Sequence, residues 1–214
     1  MRALQGRHEI RISGQEFADL AERFEAADLD VGTGDGRFVL ARAAQHPERL
    51  LVGLDPVAGA MSDAANRVTR PRTRQDNVLF VVASIEQMPA ELTGVFDRVF
   101  VLLPWGSLMR GLIVADPEVL GPLAAVGQPG AEYTFTLNLR IFSDPVPIEV
   151  QDLPEVTVAY VHDHLTDLYR EHGLEITSAR LLDRVDLDAL RTTWVRRLSH
   201  ERPPPSIEIT ARRL

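Results

Sequence analysis

Apolar and polar positions along the chain change period several times, and each change marks an element. Residues 8–12 alternate polar and apolar side chains, the period of a half-exposed strand. Ser13 and Glu16 follow in the S-x-x-E spacing of a capping box, which predicts a helix running to about Phe24. Residues 28–31 read as a strand that breaks into Gly32-Thr33-Gly34-Asp35-Gly36. A helix through Gln45 comes next, with Phe38, Leu40, Ala41 and Ala44 available for its buried face. Short apolar runs at 50–54, 79–82 and 96–103 predict three more buried strands, the first two separated by a helix over 57–68.

Further along, helices are expected around 108–114 and 117–126, and Gln128-Pro129-Gly130 marks a turn. Alternation at 133–139 predicts a strand. Pro145, Pro147 and Pro154 make 143–154 a linker or an irregular insertion. A helix over 164–172 stops at Gly173. A strand over 175–182, a short helix over 186–190 and a last strand over 207–211 complete the pattern.

Strands alternating with helices predict an α/β fold with a doubly wound, mostly parallel sheet. The two closely spaced C-terminal strands suggest an antiparallel edge, and 8–12 a short N-terminal strand extension. The chain reads as one domain, with 1–27 an N-terminal extension, 28–139 a cofactor-binding half and 140–214 a C-terminal half. Ligands on such sheets sit beyond the carboxyl ends of the strands, which selects the loops after Val31, Leu54, Val82 and Leu103.

Composition narrows the chemistry. The 214 residues are 25% charged and 45% hydrophobic, ordinary for a globular protein. No apolar run is long enough to cross a bilayer and the start lacks a signal segment, so a cytoplasmic protein with no membrane partner is expected. The absence of cysteine removes disulfides, thiolate metal sites and thiol nucleophiles, and no metal is expected. A net charge of −8 argues against indiscriminate nucleic-acid binding by the whole surface. The distribution is patchy, however. All 23 basic residues are arginine, which a GC-rich genome would explain and which also suits forked contacts with phosphate. Arg67, Arg70, Arg72 and Arg74 fall in a stretch without acids. Six more arginines lie from Arg191 to Arg213, opposed only by Glu201 and Glu208. The first patch is either a solvated face or a set of phosphate contacts that dock without reading sequence.

The loop after Val31 carries the most distinctive pattern. Its glycines permit a tight turn and close approach of backbone N–H groups to a ligand, in G-x-G-x-G spacing instead of the G-x-G-x-x-G of pyrophosphate binders. Asp30 stands two residues before the first glycine, where a carboxylate could meet an amino-acid ammonium. Asp55 ends the next strand, where an acid commonly accepts from ribose hydroxyls. Glu86, after the third strand, either faces a cofactor ring or is a solvated acid at a helix start.

This constellation resembles the motif of class I S-adenosylmethionine-dependent methyltransferases. The resemblance implies a Rossmann-like, seven-stranded sheet and S-adenosyl-L-methionine as cofactor, leaving as S-adenosyl-L-homocysteine. It implies close approach at Gly32, Thr33, Gly34 and Gly36, Asp30 near the methionine end, Asp55 on the ribose and Glu86 by the adenine.

The only two tryptophans fall in unusual places: Trp105 ends the fourth strand and Trp194 sits beside a basic patch. Each alone could be a core or hinge aromatic. Together, one near a methyl donor and one among arginines, they suit the stacking of an extruded base. Leu103-Pro104-Trp105-Gly106-Ser107-Leu108 and Thr193-Trp194-Val195-Arg196-Arg197-Leu198 are similar to the signatures of the Kam family, aminoglycoside-resistance methyltransferases of adenine-1408 N1 in 16S rRNA. The similarity covers nearly the whole chain. It implies a monomeric enzyme acting on the 30S ribosomal subunit at the decoding site. In that case Trp105 and Trp194 sandwich the flipped adenine, Ser107, Pro104 and Thr192 position cofactor or base, and Arg196, Arg197 and Arg202 meet rRNA. The chain departs from the family at Pro204, where a second basic residue is usual, and over 143–162.

The chemistry agrees with this reading. Adenine N1 carries a lone pair and no proton, so the reaction needs orientation and desolvation more than a base. Leu103-Pro104-Trp105 also lacks the polar residue of the Asp/Asn-Pro-Pro-aromatic motif of exocyclic-amine methyltransferases. The alternatives are a class I methyltransferase for tRNA or a small molecule, and a non-catalytic nucleotide-binding module.

Overall fold

The structure is a computed structural model that describes residues 1–142, 151–190 and 205–214. Its first half contains strands β1 (Arg2–Gln5), β2 (His8–Arg11), β3 (Ala26–Val31), β4 (Arg49–Asp55), β5 (Val78–Val82) and β6 (Phe96–Leu102). Helix α1 (Gly14–Ala21) precedes β3, α2 (Arg37–Gln45) joins β3 to β4, and α3 (Ala58–Val68) leads to β5. After β6 come α4 (Gly106–Val114), α5 (Pro117–Val126) and β7 (Gly127–Asn138). Beyond 150 the chain forms α6 (Val158–Tyr160), a π turn (Val161–Leu165), α7 (Thr166–Glu171), β8 (Leu174–Leu182), α8 (Arg184–Ala189) and β9 (Ser206–Arg213).

All nine described strands form one sheet in the order β2-β1-β5-β4-β3-β6-β7-β9-β8. The five from β5 to β7 are parallel, as the alternation of strands and helices predicts. Helices cover both faces. On one, Val39, Ala43, Met61 and Ala64 pack with Leu51 and Phe80. On the other, Leu112, Leu120 and Leu123 pack with Leu50, Val52 and Leu54. A strand buried on both sides is therefore a continuous apolar run, which is how β4 reads in the sequence.

Several boundaries differ from expectation. The N-terminal extension is a two-stranded hairpin, because β1 pairs antiparallel with both β2 and β5. The two C-terminal strands do form the antiparallel edge, but out of chain order: β9 is inserted between β7 and β8, so β8 forms the border. Gln128-Pro129-Gly130 makes no turn between elements. It lies inside β7 as a bulge, where Gly127 faces Phe96 but the next matched pair is Arg98 with Glu132. Turn-forming chemistry is used there to push chain out of the ladder, with Gly130 at φ +83°. Helix α1 ends at Ala21, and the helix expected from 164 starts at Val158, capped by the Thr157 hydroxyl. The Ser13–Glu16 capping box is present as read, with Ser13 N–H donating to Glu16 at 2.7 Å.

The amino end of β3 is held by charge. Asp28, 1% exposed, accepts from Arg49 Nη2 at 2.6 Å and from Arg42 Nε. The Arg42 guanidinium also stacks 4.7 Å from the Phe100 ring centre. Neither arginine comes from β3, so this buried cluster ties α2, β4 and β6 to one strand.

Candidate functional site

At the carboxyl ends of β3, β4, β5 and β6 lies a cleft of about 440 Å³, the size of a nucleoside-scale ligand. Its floor is the glycine turn. Gly32 N–H and Thr33 N–H both donate to Leu54 O, at 2.8 and 3.0 Å, which folds the loop back over β4. Gly32, Gly34 and Gly36 all adopt positive φ. At Gly36 a side chain is also excluded by packing, since Phe80 Cε1 lies 2.6 Å from where its Cβ would be.

Asp55 organises the next wall. One of its carboxylate oxygens accepts from Gly34 N–H at 3.0 Å, the other from Val57 N–H at 2.8 Å. The acid thus fixes the glycine turn and the loop into α3, with lone pairs left for a ligand. Asp30 is different. It is 4% exposed, and burial pushes its pKa up to about 7; the nearby Thr33 hydroxyl opposes that shift and the Asp55 charge adds to it. No cation among the described residues pairs with it. Thr33 Oγ1 is buried beside it, near enough to favour the charged carboxylate but with no partner within 3.5 Å. A buried acid without a cation, next to an unsatisfied hydroxyl, suits a ligand that brings an ammonium group. The methionine moiety of the cofactor expected from the sequence carries one.

The third wall comes from the loop after β5 and the start of α4. Ser107 Oγ donates to Glu86 Oε1 at 2.7 Å, and this bond holds the Glu86 carboxyl below its usual range. Leu108 closes the other side, its Cδ2 3.2 Å from the position of a Gly32 Cβ. Between β6 and α4 the backbone is strained: Leu103 sits at φ +51° and Gly106 at φ +61°. That sharp path turns Trp105 to the mouth of the cleft, 47% exposed. The far end of α4 is pinned by two tyrosines, Tyr169 Oη donating to Leu112 O at 2.9 Å and Tyr160 Oη to Ile113 O at 3.0 Å.

The structure therefore brings together Asp30, Gly32, Thr33, Gly34, Asp55, Glu86, Pro104, Trp105 and Ser107 around one cleft, with Gly36 closing the glycine turn behind it. Thr192, Trp194, Arg196, Arg197 and Arg202 lie outside the described residues. Their flanks are described: Leu182 pairs with Ser206, and Leu139 N–H donates to Pro205 O, at the cleft end of the sheet. Arg67, Arg70, Arg72 and Arg74 are all exposed, but they join the end of α3 to the start of β5. That is the opposite end of the sheet, roughly 16 Å away by the length of a five-residue strand. Arg74 is paired with Asp76 at 2.6 Å. Sequence reading missed the apolar lining from Phe38, Ile85 and Leu108, whose types are indistinguishable from core.

Comparison with known proteins gives a consistent picture. A family model described as NpmA, 16S rRNA (adenine(1408)-N(1))-methyltransferase, matches residues 2–213. A curated 16S rRNA (adenine(1408)-N(1))-methyltransferase from Streptoalloteichus hindustanus is 39% identical over 204 residues, covering 94% of each chain. Among solved structures, a tryptophan-to-alanine variant of the enzyme so named from Catenulisporales acidiphilia, crystallised with the cosubstrate SAM, superposes with a TM-score of 0.93. It is 35% identical, over 100% of this chain and 97% of that one. The antibiotic-resistance methyltransferase Kmr superposes with a TM-score of 0.85 at 30% identity, over 100% and 99%.

Proposed function

This chain belongs to the 16S rRNA (adenine(1408)-N(1))-methyltransferase family, and from that premise we propose how its own residues carry out the reaction. It is an S-adenosylmethionine-dependent enzyme that methylates N1 of adenine-1408 in 16S rRNA, a modification of the antibiotic-resistance class. The observation that carries the residue-level reading is the cleft itself: an uncompensated buried acid at one end, a half-exposed indole at the other and a glycine turn between them.

Asp30 receives the ammonium of the methionine moiety, and the ribose hydroxyls reach Asp55. Thr33 and the backbone of Gly32 and Gly34 line the path between, while Glu86 and Pro104 bound the adenosine. When bound, the cofactor supplies an electrophilic methyl group on a positively charged sulfur. Trp105 offers its ring face to the target base and holds it in line with that methyl. The methyl would pass to the ring lone pair of adenine N1, so the task of these residues is to orient the base and exclude water. No proton leaves N1, so the site needs no general base. Ser107 stands in the first turn of α4, where its bond to Glu86 keeps the cofactor wall and the indole in register. Trp194 would take the opposite face of the base, and Thr192 would position cofactor or base.

The partner we propose is the assembled 30S subunit, bound by a monomer in the cytoplasm. Arg196, Arg197 and Arg202 would meet rRNA near the decoding site. Arg67, Arg70, Arg72 and Arg74 would reach it only around the side of α2, where Arg37, Arg67 and Arg74 border one shallow concavity. The test is primer extension on 30S subunits and on free 16S rRNA. A cofactor-dependent stop at adenine-1408 supports the reading, and methylation of tRNA alone would overturn it. Trp105→Ala should lower the rate roughly 10- to 100-fold, the worth of one stacked base, while cofactor affinity measured by calorimetry stays within about twofold. Equal loss of cofactor affinity would remove Trp105 from the base site.

A further inference from the structure

We propose that the N-terminal hairpin forms a phosphodiester-binding site, in which Arg11 holds a backbone phosphate of the substrate RNA at the rim of the cofactor cleft. The inference rests on the rRNA-methylating role given above and adds a contact that none of the motifs supplies.

Register places these residues. Arg2 is the cross-strand partner of Arg11, so both side chains leave the hairpin on one face. Because β1 runs antiparallel to β5, with Ala3 opposite Val81, that pair lies at the carboxyl end of β5. This is the end that carries the cofactor cleft. A second concavity of about 570 Å³ opens there, lined in part by Arg2, Arg11, Gln87 and Glu91. It shares Pro56 and Ser84 with the cofactor cleft, so the two are contiguous.

The charges at this second concavity do not cancel. Arg2 is neutralised by Glu9, with Nη2 to Oε2 at 2.7 Å, and Glu91 by the Met1 ammonium at 2.7 Å. Arg11 is exposed and has no acidic partner among the described residues. The hairpin that presents it is braced, since Ile12 N–H donates to Met1 O at 3.1 Å, so little ordering is left to do when an anion arrives.

Position selects the anion. Four strand spacings separate β1 from β6, which puts the arginine pair roughly 19 Å from the Trp105 turn along the same rim. A nucleic acid that delivers a base to Trp105 extends over that distance, and its phosphates carry no sequence information. A free guanidinium there positions the strand without reading it. The concavity is open and shallow, which suits a passing backbone better than an enclosed small anion.

The test measures binding of the full-length enzyme to 30S subunits over a series of KCl concentrations, with S-adenosylhomocysteine present. Arg11→Gln should weaken binding roughly five- to eightfold near 0.1 M salt and lower the salt slope by about 0.7–0.9, the amounts for one lost phosphate contact. Arg11→Lys should recover most of the affinity, and cofactor affinity should be unchanged in both. Unchanged affinity and slope in Arg11→Gln, with the wild type binding and methylating 16S rRNA normally, would overturn the hairpin site alone. Loss of cofactor affinity in Arg11→Gln would also overturn it, by placing the effect in the neighbouring cleft. A wild type that neither binds nor methylates 16S rRNA would instead overturn the ribosomal role itself.

Discussion

Asp28 and Asp30 stand two residues apart on β3, on the same face of one strand, and both are buried. Asp28 is surrounded by guanidinium groups from α2 and β4. Asp30 faces the cofactor cleft with no cation among the described residues, and its pKa is lifted to about 7. One carboxylate is satisfied by the protein; the other is left, among the described residues, without a counter-charge. The lower end of the sheet is thus built to hold the fold together. The upper end carries an electrostatic cost, which the proposed cofactor ammonium would remove.

Substitutions should separate the two ends. The largest effect belongs to Asp28→Ala, which strands two largely buried arginines and should cost about 3–5 kcal/mol of stability. Chemical denaturation would show it, while the cofactor affinity of the molecules that remain folded should be near normal. If stability is lost by less than about 1 kcal/mol, the cluster is not structural and the contrast fails.

Asp30→Asn should do the reverse. Cofactor affinity at pH 8 should fall roughly 10- to 100-fold, the worth of hydrogen bonds to a charged group, with ligand-free stability equal or higher. The pH dependence follows from the raised pKa. The folded, ligand-free state holds a proton on Asp30 that the unfolded chain has released, so this group's contribution to stability is full below about pH 4 and is lost as pH rises towards 7. Binding a cationic ammonium requires the ionised form, so affinity should fall about tenfold per pH unit below 7 in the wild type and stay flat in Asp30→Asn. Proton release on binding near pH 7, read by calorimetry in buffers of different ionisation enthalpy, checks the same point independently.

The smallest effect is expected at Ser107→Ala. Losing one exposed hydrogen bond to Glu86 should cost about 0.5–1.5 kcal/mol, a few-fold in methylation rate. Its signature is the thermodynamic coupling between cofactor and RNA binding, which should shrink while each separate affinity moves little. Coupling equal to that of the wild type would show that the Glu86–Ser107 bridge does not transmit between the two ligands.

Much of the upper end is legible in the chain alone. The glycine turn, Asp55 and Asp30 depend on residues close in sequence and on turn chemistry that few residue types satisfy. What escapes sequence reading depends on partners far along the chain. Asp28 looks like any strand residue until Arg42 and Arg49 are placed around it. The four-residue β1 is too short to show a period, although its register is what turns Arg2 and Arg11 to the same side. The bulge at Gln128-Pro129-Gly130 reads as a turn in the sequence because glycine and proline signal a break without saying whether the ladder resumes. The Arg67–Arg74 run shows another limit, since clustering in sequence gives no hint of which end of the sheet receives it.

The insertion of β9 between β7 and β8 also governs how the molecule is made. Both neighbours precede β9 in the chain, so each has an open edge until residues 206–213 arrive, and no local pairing can close the gap. Such late, long-range pairing is slow and leaves sticky edges exposed during synthesis. Strands β7 and β8 are therefore joined only once residues 206–213 have been made, so the sheet closes late in folding.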